Sequence, residues 1–510
     1  MQELRELVSI ITKGKLKALE RQGGILRWDA KTQALYQLVA EGKVATDEEA
    51  RSELFPKEKS VTPYNRTKTQ LKTFLLDKLF EIELIEPHYH ARQRAYFECY
   101  KQWASIKIMQ GKNARHVPAA LAEEVLKKAI KYEFTDVVQE MARTLRLHYG
   151  SIEGDQKRHE YYRQLAATYE DLYHWENASE ELYTHLITNY VNSKSTKEQI
   201  HEQAKLYWQQ LKGPMQKFDT YRLQFCGRLI EATIYSSIND YRNTITVCEK
   251  SIHFFESKEY IAGIPLQAFL YQEMVCYVQL KDYERGKLAA ERGMKLLQEG
   301  AFNWFKYQEL LLMLSLHAGE YQEAYQLFLL AVRHKKFSSL PSSLLEYWKI
   351  FEAYLYYLIE TGLIKTDNNS TYFNKFRLAK FINETPIYSK DKRGMNIPIL
   401  IFQILFLLTK KRYDELTDRL DAIEKYSSRY LRRDDTYRSN CFIKMLMQIP
   451  AQSYHKVAVI RHATKFVQML QNAPLDIANQ SHDIEIIPYE DLWKMALATL
   501  DSSSRRLKHG

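Results

Sequence analysis

The sequence predicts an all-α protein built as a superhelix of stacked helical hairpins, and three observations lead to this prediction. Glycine and proline are scarce, with 17 and 12 residues in a chain of 510, whereas average usage is about 7% and 5%. Apolar residues follow the helical period along most of the chain. An aromatic residue followed by an amphipathic helix recurs at intervals, as it does in repeat proteins.

The recurring unit has an aromatic residue at a turn, with small or apolar residues three, seven and ten positions later. At about 100° per residue these offsets share one face of a helix. After Tyr321 they are Ala324, Phe328 and Ala331. A second apolar-periodic stretch precedes most anchors, so each unit is predicted to be helix, turn, helix. The aromatic anchors, which we predict to be structural residues of the repeat seams, are Phe134, Trp175, Tyr241, Tyr283, Tyr321 and Tyr413.

Successive anchors are 41, 66, 42, 38 and 92 residues apart. Three intervals therefore share a period near 40 residues, and each of the two long intervals leaves room for a further helical pair. Such a hairpin buries its apolar face only by stacking on the next hairpin. The spacing favours a continuous array over separate globular domains.

Three regions are predicted along the chain. Residues 1–90 form an N-terminal helical module, in which Thr46 and Glu49 have the spacing of a capping box. Residues 91–475 form the repeat array, and residues 476–510 form a C-terminal cap with a loose tail. A basic second helix in the N-terminal module is compatible with DNA binding, but a capping role for the array is the simpler interpretation.

The stretch 397–408, IPILIFQILFLL, is apolar on every side of a helix. Its 12 residues fall short of the roughly 20 that a spanning helix needs, and we predict no membrane segment. Pro398 suits the first turn of a helix, because its missing N–H has no partner there. A helix that is apolar all round is predicted to be an inner helix of the stack.

The segment GEYQEAYQLFLLAV contains Gly319, Tyr321, Ala324, Phe328 and Ala331. It resembles the second half of a tetratricopeptide repeat, G-x-Y-x-x-A-x-x-x-F-x-x-A. The other units are longer and more divergent. The resemblance implies a right-handed α-α superhelix, a tetratricopeptide-like solenoid of divergent hairpins that holds a protein or peptide.

The whole chain also resembles a group of uncharacterised bacterial helical-repeat proteins. The stretches that carry this resemblance are FNKFRLAKFINETPIYSKDKRGMNIPILI, KYSSRYLRRDDTYRSNCFIKMLMQIP and ANQSHDIEIIPYEDLW. The resemblance concerns the fold and implies no activity.

No catalytic or cofactor-binding motif occurs in the sequence. The phosphate-binding glycine loops, H-E-x-x-H and G-x-S-x-G are all missing from it. His88 and His90 are two residues apart, a spacing that does not place two metal ligands on one helix face. We therefore expect no enzyme activity, no metal site and no cofactor. Five cysteines without a CxxC pair favour reduced thiols in a cytoplasmic protein.

Two basic segments are candidate partner-binding sites. The formal net charge of +10 permits an anionic partner without requiring one. In the second segment arginines alternate with tyrosines, a combination that can bind phosphates and bases, although a surface ion-pair network is the simpler interpretation. The candidate residues are Lys390, Lys392, Arg393, Arg429, Arg432, Arg433 and Arg438.

These observations predict a non-enzymatic scaffold that binds a protein or peptide on its repeat surface. The alternative is a nucleic-acid-binding or regulatory protein, which would use the N-terminal helices or the patch from Arg429 to Arg438. The two differ in their salt dependence, because phosphate contacts weaken steeply as salt is added.

Overall fold

The structure is a computed structural model of the full chain. It describes residues 1–11, 29–58, 60–80, 89–191, 196–366, 372–373, 381, 396–430, 436–475 and 484–500, except for the side chains of 190–191 and 426–430. The chain forms two compact units, Met1–Tyr173 and His174–Gly510. Within the described residues there are 21 α-helices and no strands, and the helices pack on their neighbours along the chain. The predicted all-α, superhelical fold class is confirmed.

The first unit begins with four helices, α1 (Gln2–Ile10), α2 (Ala30–Ala40), α3 (Asp47–Leu54) and α4 (Thr62–Lys78). They share a core of their own, centred on fully buried leucines such as Leu35, Leu71 and Leu75. Thr46 and Glu49 form the predicted capping box at the start of α3, which is confirmed. The predicted module boundary at residue 90 stays a prediction.

The rest of the first unit contains α5 (Ala91–Gly111), α6 (His116–Lys131) and α7 (Thr135–His148), followed by a single π-helical turn (Tyr149–Glu153). α6 packs against both α5 and α7. α8 (Gln156–Val191) is a continuous helix that begins in the first unit and ends in the second.

The second unit is also built of helices that pack on their neighbours along the chain. Its helices are α9 (Lys197–Lys217), α10 (Tyr221–Ser236), α11 (Tyr241–Glu256), α12 (Gly263–Leu280), α13 (Tyr283–Lys295), α14 (Phe302–Ala318), α15 (Tyr321–Val332), α16 (Ser342–Glu360), α17 (Asn396–Thr409), α18 (Tyr413–Tyr430), α19 (Tyr437–Ala451), α20 (Lys456–Gln471) and α21 (Tyr489–Thr499). A short 3₁₀ turn, Phe337–Ser339, lies between α15 and α16.

Five of the six aromatic anchors lie where a second hairpin helix begins. The four tyrosines are the first residues of α11, α13, α15 and α18, and Phe134 is the N-cap of α7. A residue with positive φ lies two positions before each of these helices, whether or not it is glycine: Glu133, Asn239, Lys281, Gly319 and Lys411. One left-handed residue ends the first helix and directs the chain into the second. The hairpins thus share one turn geometry.

Trp175 differs from the other anchors because it lies inside α8, far from either end. The surrounding sequence TYEDLYHWE contains no glycine, proline or asparagine, so nothing interrupts the helical hydrogen bonds. The turn predicted near residue 175 is absent, although the side chain is partly buried against the core that includes Leu186 and Leu211.

The interior positions predicted for the repeat units are confirmed. Ala324, Phe328 and Ala331 are at most 1% exposed. α17, predicted to be an inner helix, is buried at every position from Asn396 to Leu408. No helix in the described ranges combines the length and the apolar character that crossing a bilayer requires.

Candidate functional site

The predicted contact residues fall into three groups. Arg429 lies in α18, but its side chain is among those that the structure leaves undescribed. Arg438 lies in the first turn of α19 and is described in full. The remaining five lie outside the described residues: Lys390, Lys392, Arg393, Arg432 and Arg433.

Arg438 is an interior residue, with a side chain that is 0% exposed. Its Nε and Nη2 donate to the two carboxylate oxygens of Glu485 at 2.9 and 2.7 Å. Nη2 also donates to Glu490, at 2.9 Å from either oxygen. Nη1 donates to the carbonyl oxygens of Leu470 and Ala473 at 3.3 and 2.7 Å. Arg438 is therefore an internal ion-pair residue in this structure and presents no surface to a partner.

The partner carboxylate belongs to the C-terminal segment, which we define as residues 484–500. Glu485 is also 0% exposed, and one of its oxygens accepts a further hydrogen bond from the backbone N–H of Tyr489 at 2.9 Å. A fork-shaped guanidinium facing a carboxylate gives a two-bond geometry that no lysine reproduces. Burial by itself would lower the pKa of the Arg438 guanidinium, but hydrogen bonds and charges from Glu485 and Glu490 raise it above its ordinary value.

The C-terminal segment lies across several helices that are distant in sequence. His317 at the end of α14 donates from Nε2 to the backbone carbonyl of Glu485 at 2.6 Å. α21 packs on α17, α19 and α20. Tyr354 of α16 is buried, and its pKa is raised well above the ordinary value, first by burial and then by the nearby Tyr489 and Glu485. The segment therefore contacts the first helices of three hairpins, α14, α17 and α19, and also α20, the second helix of the last hairpin.

Apolar and aromatic contacts also hold the C-terminal segment against the helices. Tyr489 stacks on Phe442 of α19, with ring centroids 4.5 Å apart and planes 9° apart. The Tyr489 hydroxyl lies 2.9 Å from the Ser439 hydroxyl in a buried hydrogen bond. Ile486 and Ile487 are at most 1% exposed. The C-terminal segment, a short irregular stretch followed by α21, is thus held by a buried ion pair and by several buried side chains.

The sequence pattern did not predict this site, although one signal for it is present. Arg438 occupies the apolar stripe of α19, three and four positions before Cys441 and Phe442, and the stripe continues at Met445 and Leu446. A charged residue that is buried within such a stripe is almost always paired. The partner lies 47 residues away, and no local pattern indicates it.

Comparisons with protein-family models, with curated proteins and with solved structures give no match to this chain. The proposals below therefore rest on the residues of the chain itself and on the contacts they make.

Proposed function

We propose that the protein is a non-enzymatic scaffold that binds a segment of a partner protein on the face now covered by residues 484–500. The observation that supports this is the C-terminal segment itself, which contacts α14, α17, α19 and α20 and has Glu485 held by Arg438. Solenoids expose extended surfaces and use them to bind partner segments. The chain's own segment occupies the face as a partner segment would.

The seated segment defines the chemistry of the partner. A carboxylate faces Arg438, two isoleucine side chains follow it, and an aromatic ring stacks on Phe442 four residues after the carboxylate. Removing a carboxylate from a buried guanidinium leaves an uncompensated charge, so ligands without an acidic residue at this place would bind poorly. The partner segment is therefore acidic, then aliphatic, then aromatic.

The sequence resemblances agree with this role. The tetratricopeptide-like pattern from Gly319 to Ala331 belongs to a class of repeats that bind peptides, and the resemblance to bacterial helical-repeat proteins adds no reaction. All five cysteines are free and buried, which suits the reducing cytoplasm that we propose as the location. A scaffold needs no cofactor and no catalytic group.

Selection from a displayed peptide library tests the proposal. The full-length Glu485→Gln variant serves as bait, because it weakens the hold on the chain's own segment and leaves Arg438 in place. A tethered segment competes at an effective concentration in the millimolar range, so the wild-type chain should select far fewer peptides. We expect the variant to enrich peptides with a carboxylate three or four residues before an aromatic ring, and a synthetic peptide of residues 481–500 should compete with them.

The matched control is Glu415→Gln, which changes an exposed carboxylate of α18 and leaves the C-terminal segment seated. It should behave as wild type. No enrichment on Glu485→Gln, or enrichment that the 481–500 peptide does not reduce, would contradict the proposal.

Nucleic-acid binding stays the alternative. The only side chain of the predicted arginine patch that the structure describes, Arg438, is neutralised by carboxylates, so no described contact favours this function. Binding of nucleic acid would favour this alternative over the scaffold if the affinity fell steeply with salt. In a plot of log affinity against log salt concentration, the slope should then be close to the number of phosphates that the protein contacts.

A further inference from the structure

A second cluster of charged and metal-ligating side chains lies in the first unit, around the π-helical turn. One ligand atom from each of His116, His148 and Glu153 lies within 4.8 Å of the other two. The Nε2 atom of His148 is 2.9 Å from a carboxylate oxygen of Glu153. The two imidazole rings are 6.1 Å apart between centroids and nearly perpendicular. Two nitrogen donors and one carboxylate therefore converge on one point.

The π-helical turn creates this convergence. His148 and Glu153 are five residues apart, and in an α-helix such residues point about 140° away from each other. The turn at Tyr149–Glu153 follows the π pattern, in which hydrogen bonds join residues five apart, and this brings the fifth residue back over the first. Such turns are frequent at functional sites. Gly154, with φ +69°, ends the turn.

Contacts from α6 hold the turn beside His116. The Tyr149 hydroxyl donates to Glu123 of α6 at 2.7 Å, and its ring stacks on Tyr162 with the planes 10° apart. The guanidinium carbon of Arg158 lies over the same ring, 4.7 Å from its centroid. Because α6 carries both His116 and Glu123, one helix positions one ligand and also fixes the turn that brings His148 and Glu153 together.

We propose that His116, His148 and Glu153 bind a divalent transition-metal ion, with zinc as the ion that best fits the donors. Two imidazoles and one carboxylate form a donor set that zinc and ferrous iron accept, and such a set leaves coordination positions for water or a further ligand. This inference does not depend on the proposed scaffold function, because it concerns other residues in the other compact unit. The spacings of 32 and five residues match no linear ligand motif, which is why the sequence predicts no metal site.

The exposure of the three residues suits metal capture. A tetrahedral zinc ion with bonds of about 2.0–2.1 Å brings ligand atoms to about 3.3 Å from one another, so the cluster must contract slightly. His148 is buried, with 6% of its side chain exposed, and supplies a fixed ligand. His116 and Glu153 are exposed and can rotate towards it. His148 and Glu153 could also form an ion pair without any metal ion, and such a pair would not need His116. A requirement for His116 therefore distinguishes a metal site from a simple ion pair.

The experiment measures binding of Zn²⁺ and Co²⁺ to the untagged full-length chain. Zinc affinity comes from competition with a chromophoric chelator, and the visible absorption of bound Co²⁺ reports the ligand number. The variants are His116→Ala and Glu153→Gln, since both residues are exposed and their replacement leaves the core intact. We expect one tight site per chain in the wild type, and a loss of more than about 10-fold in affinity in either variant, as ligand-shell changes typically cause.

The matched control is His462→Ala, which removes an exposed histidine from the second unit and should leave the affinity unchanged. Circular dichroism in the presence of a chelator verifies that each variant folds. Zinc should also raise the Tm of the wild type and of the control, since a ligand that binds only the folded state stabilises it. The proposal is overturned if the wild type shows no saturable site, or if His116→Ala binds zinc as the wild type does.

Discussion

The Arg438 cluster and the His148 cluster place charged side chains in opposite situations. Around Arg438 the guanidinium and Glu485 are both 0% exposed, and every N–H of the guanidinium donates to a described acceptor. Around His148 two of the three groups are exposed, and a single hydrogen bond joins the cluster. In the first cluster, groups of the same chain satisfy the hydrogen-bond donors of the guanidinium. In the second cluster, three potential metal-ligand atoms lie close together.

The difference determines how each cluster can bind. A ligand reaches Arg438 only if it replaces residues 484–500, because an unpaired buried charge is too unfavourable to persist. A metal ion reaches the His148 cluster by small rotations of exposed side chains. Exchange is expected to be slow and selective at the first cluster, and fast at the second. The following predictions test whether burial and ion pairing determine how strongly each charged group affects stability.

The largest effect is expected for Arg438→Met. The change leaves Glu485 buried without its cation, which typically costs about 3–5 kcal/mol of unfolding free energy. Chemical denaturation followed by circular dichroism measures it. The double variant Arg438→Met with Glu485→Leu should recover most of the loss, because a buried ion pair and an apolar pair are often close in stability. A loss below about 1 kcal/mol in the single variant would mean that the pair is solvated in solution.

Glu273 is a buried carboxyl that forms no ion pair with any cation in the described part of the chain. Burial, and after it the negative charge of Glu249, raises the pKa of Glu273 to about 7. The charge of Glu256 adds a smaller increase, and the positive charge of Arg292 opposes these effects. The folded state holds this proton more tightly than the unfolded chain, so stability should fall as pH rises from about 4.5 to 7.

Glu273→Gln removes this pH dependence. At pH 8 the variant should be more stable than the wild type by roughly 3 kcal/mol, since the pKa is raised from 4.5 to about 7 and each pKa unit corresponds to about 1.4 kcal/mol. Near pH 4.5 the two should be equally stable. Urea denaturation of both proteins across this pH range provides the measurement, and a stability difference that does not change with pH would show that Glu273 titrates normally.

Tyr489→Phe isolates one hydrogen bond of the C-terminal segment. The ring stack on Phe442 remains, and the hydrogen bond to Ser439 is lost. We expect a destabilisation of about 1 kcal/mol, because this is the typical net contribution of one hydrogen bond. Thermal unfolding measures the change. The same substitution at the exposed Tyr161 should have no measurable effect.

The smallest effect is expected for Arg412→Gln, the exposed counterpart of the first variant. Arg412 donates from Nε to Glu415 at 2.7 Å, but the two side chains are 50% and 54% exposed. Water screens such a pair, and its loss should change the unfolding free energy by less than about 0.5 kcal/mol. A loss of unfolding free energy as large as that of Arg438→Met would show that burial does not determine how much an ion pair stabilises this protein.

Local patterns predict the hairpins well and fail where local sequence is ambiguous. The offsets after Tyr321 correctly place Ala324 and Phe328 in the core, since helix periodicity is a property of neighbouring residues. Trp175 has the same aromatic pattern, but no turn residue precedes it and the helix continues. The aromatic pattern predicts a packed seam, and only a turn residue beside it predicts the break.

By itself the sequence determined the all-α class, the stacked hairpins, the buried character of α17 and the cap at Thr46, because each depends on side chains within a few turns of one another. The tertiary structure alone decided that Arg438 pairs with Glu485, and that a π-helical turn brings His148 and Glu153 to His116. These contacts join residues up to 47 positions apart. Their free energy depends on which groups folding buries together, and no local sequence pattern contains that information.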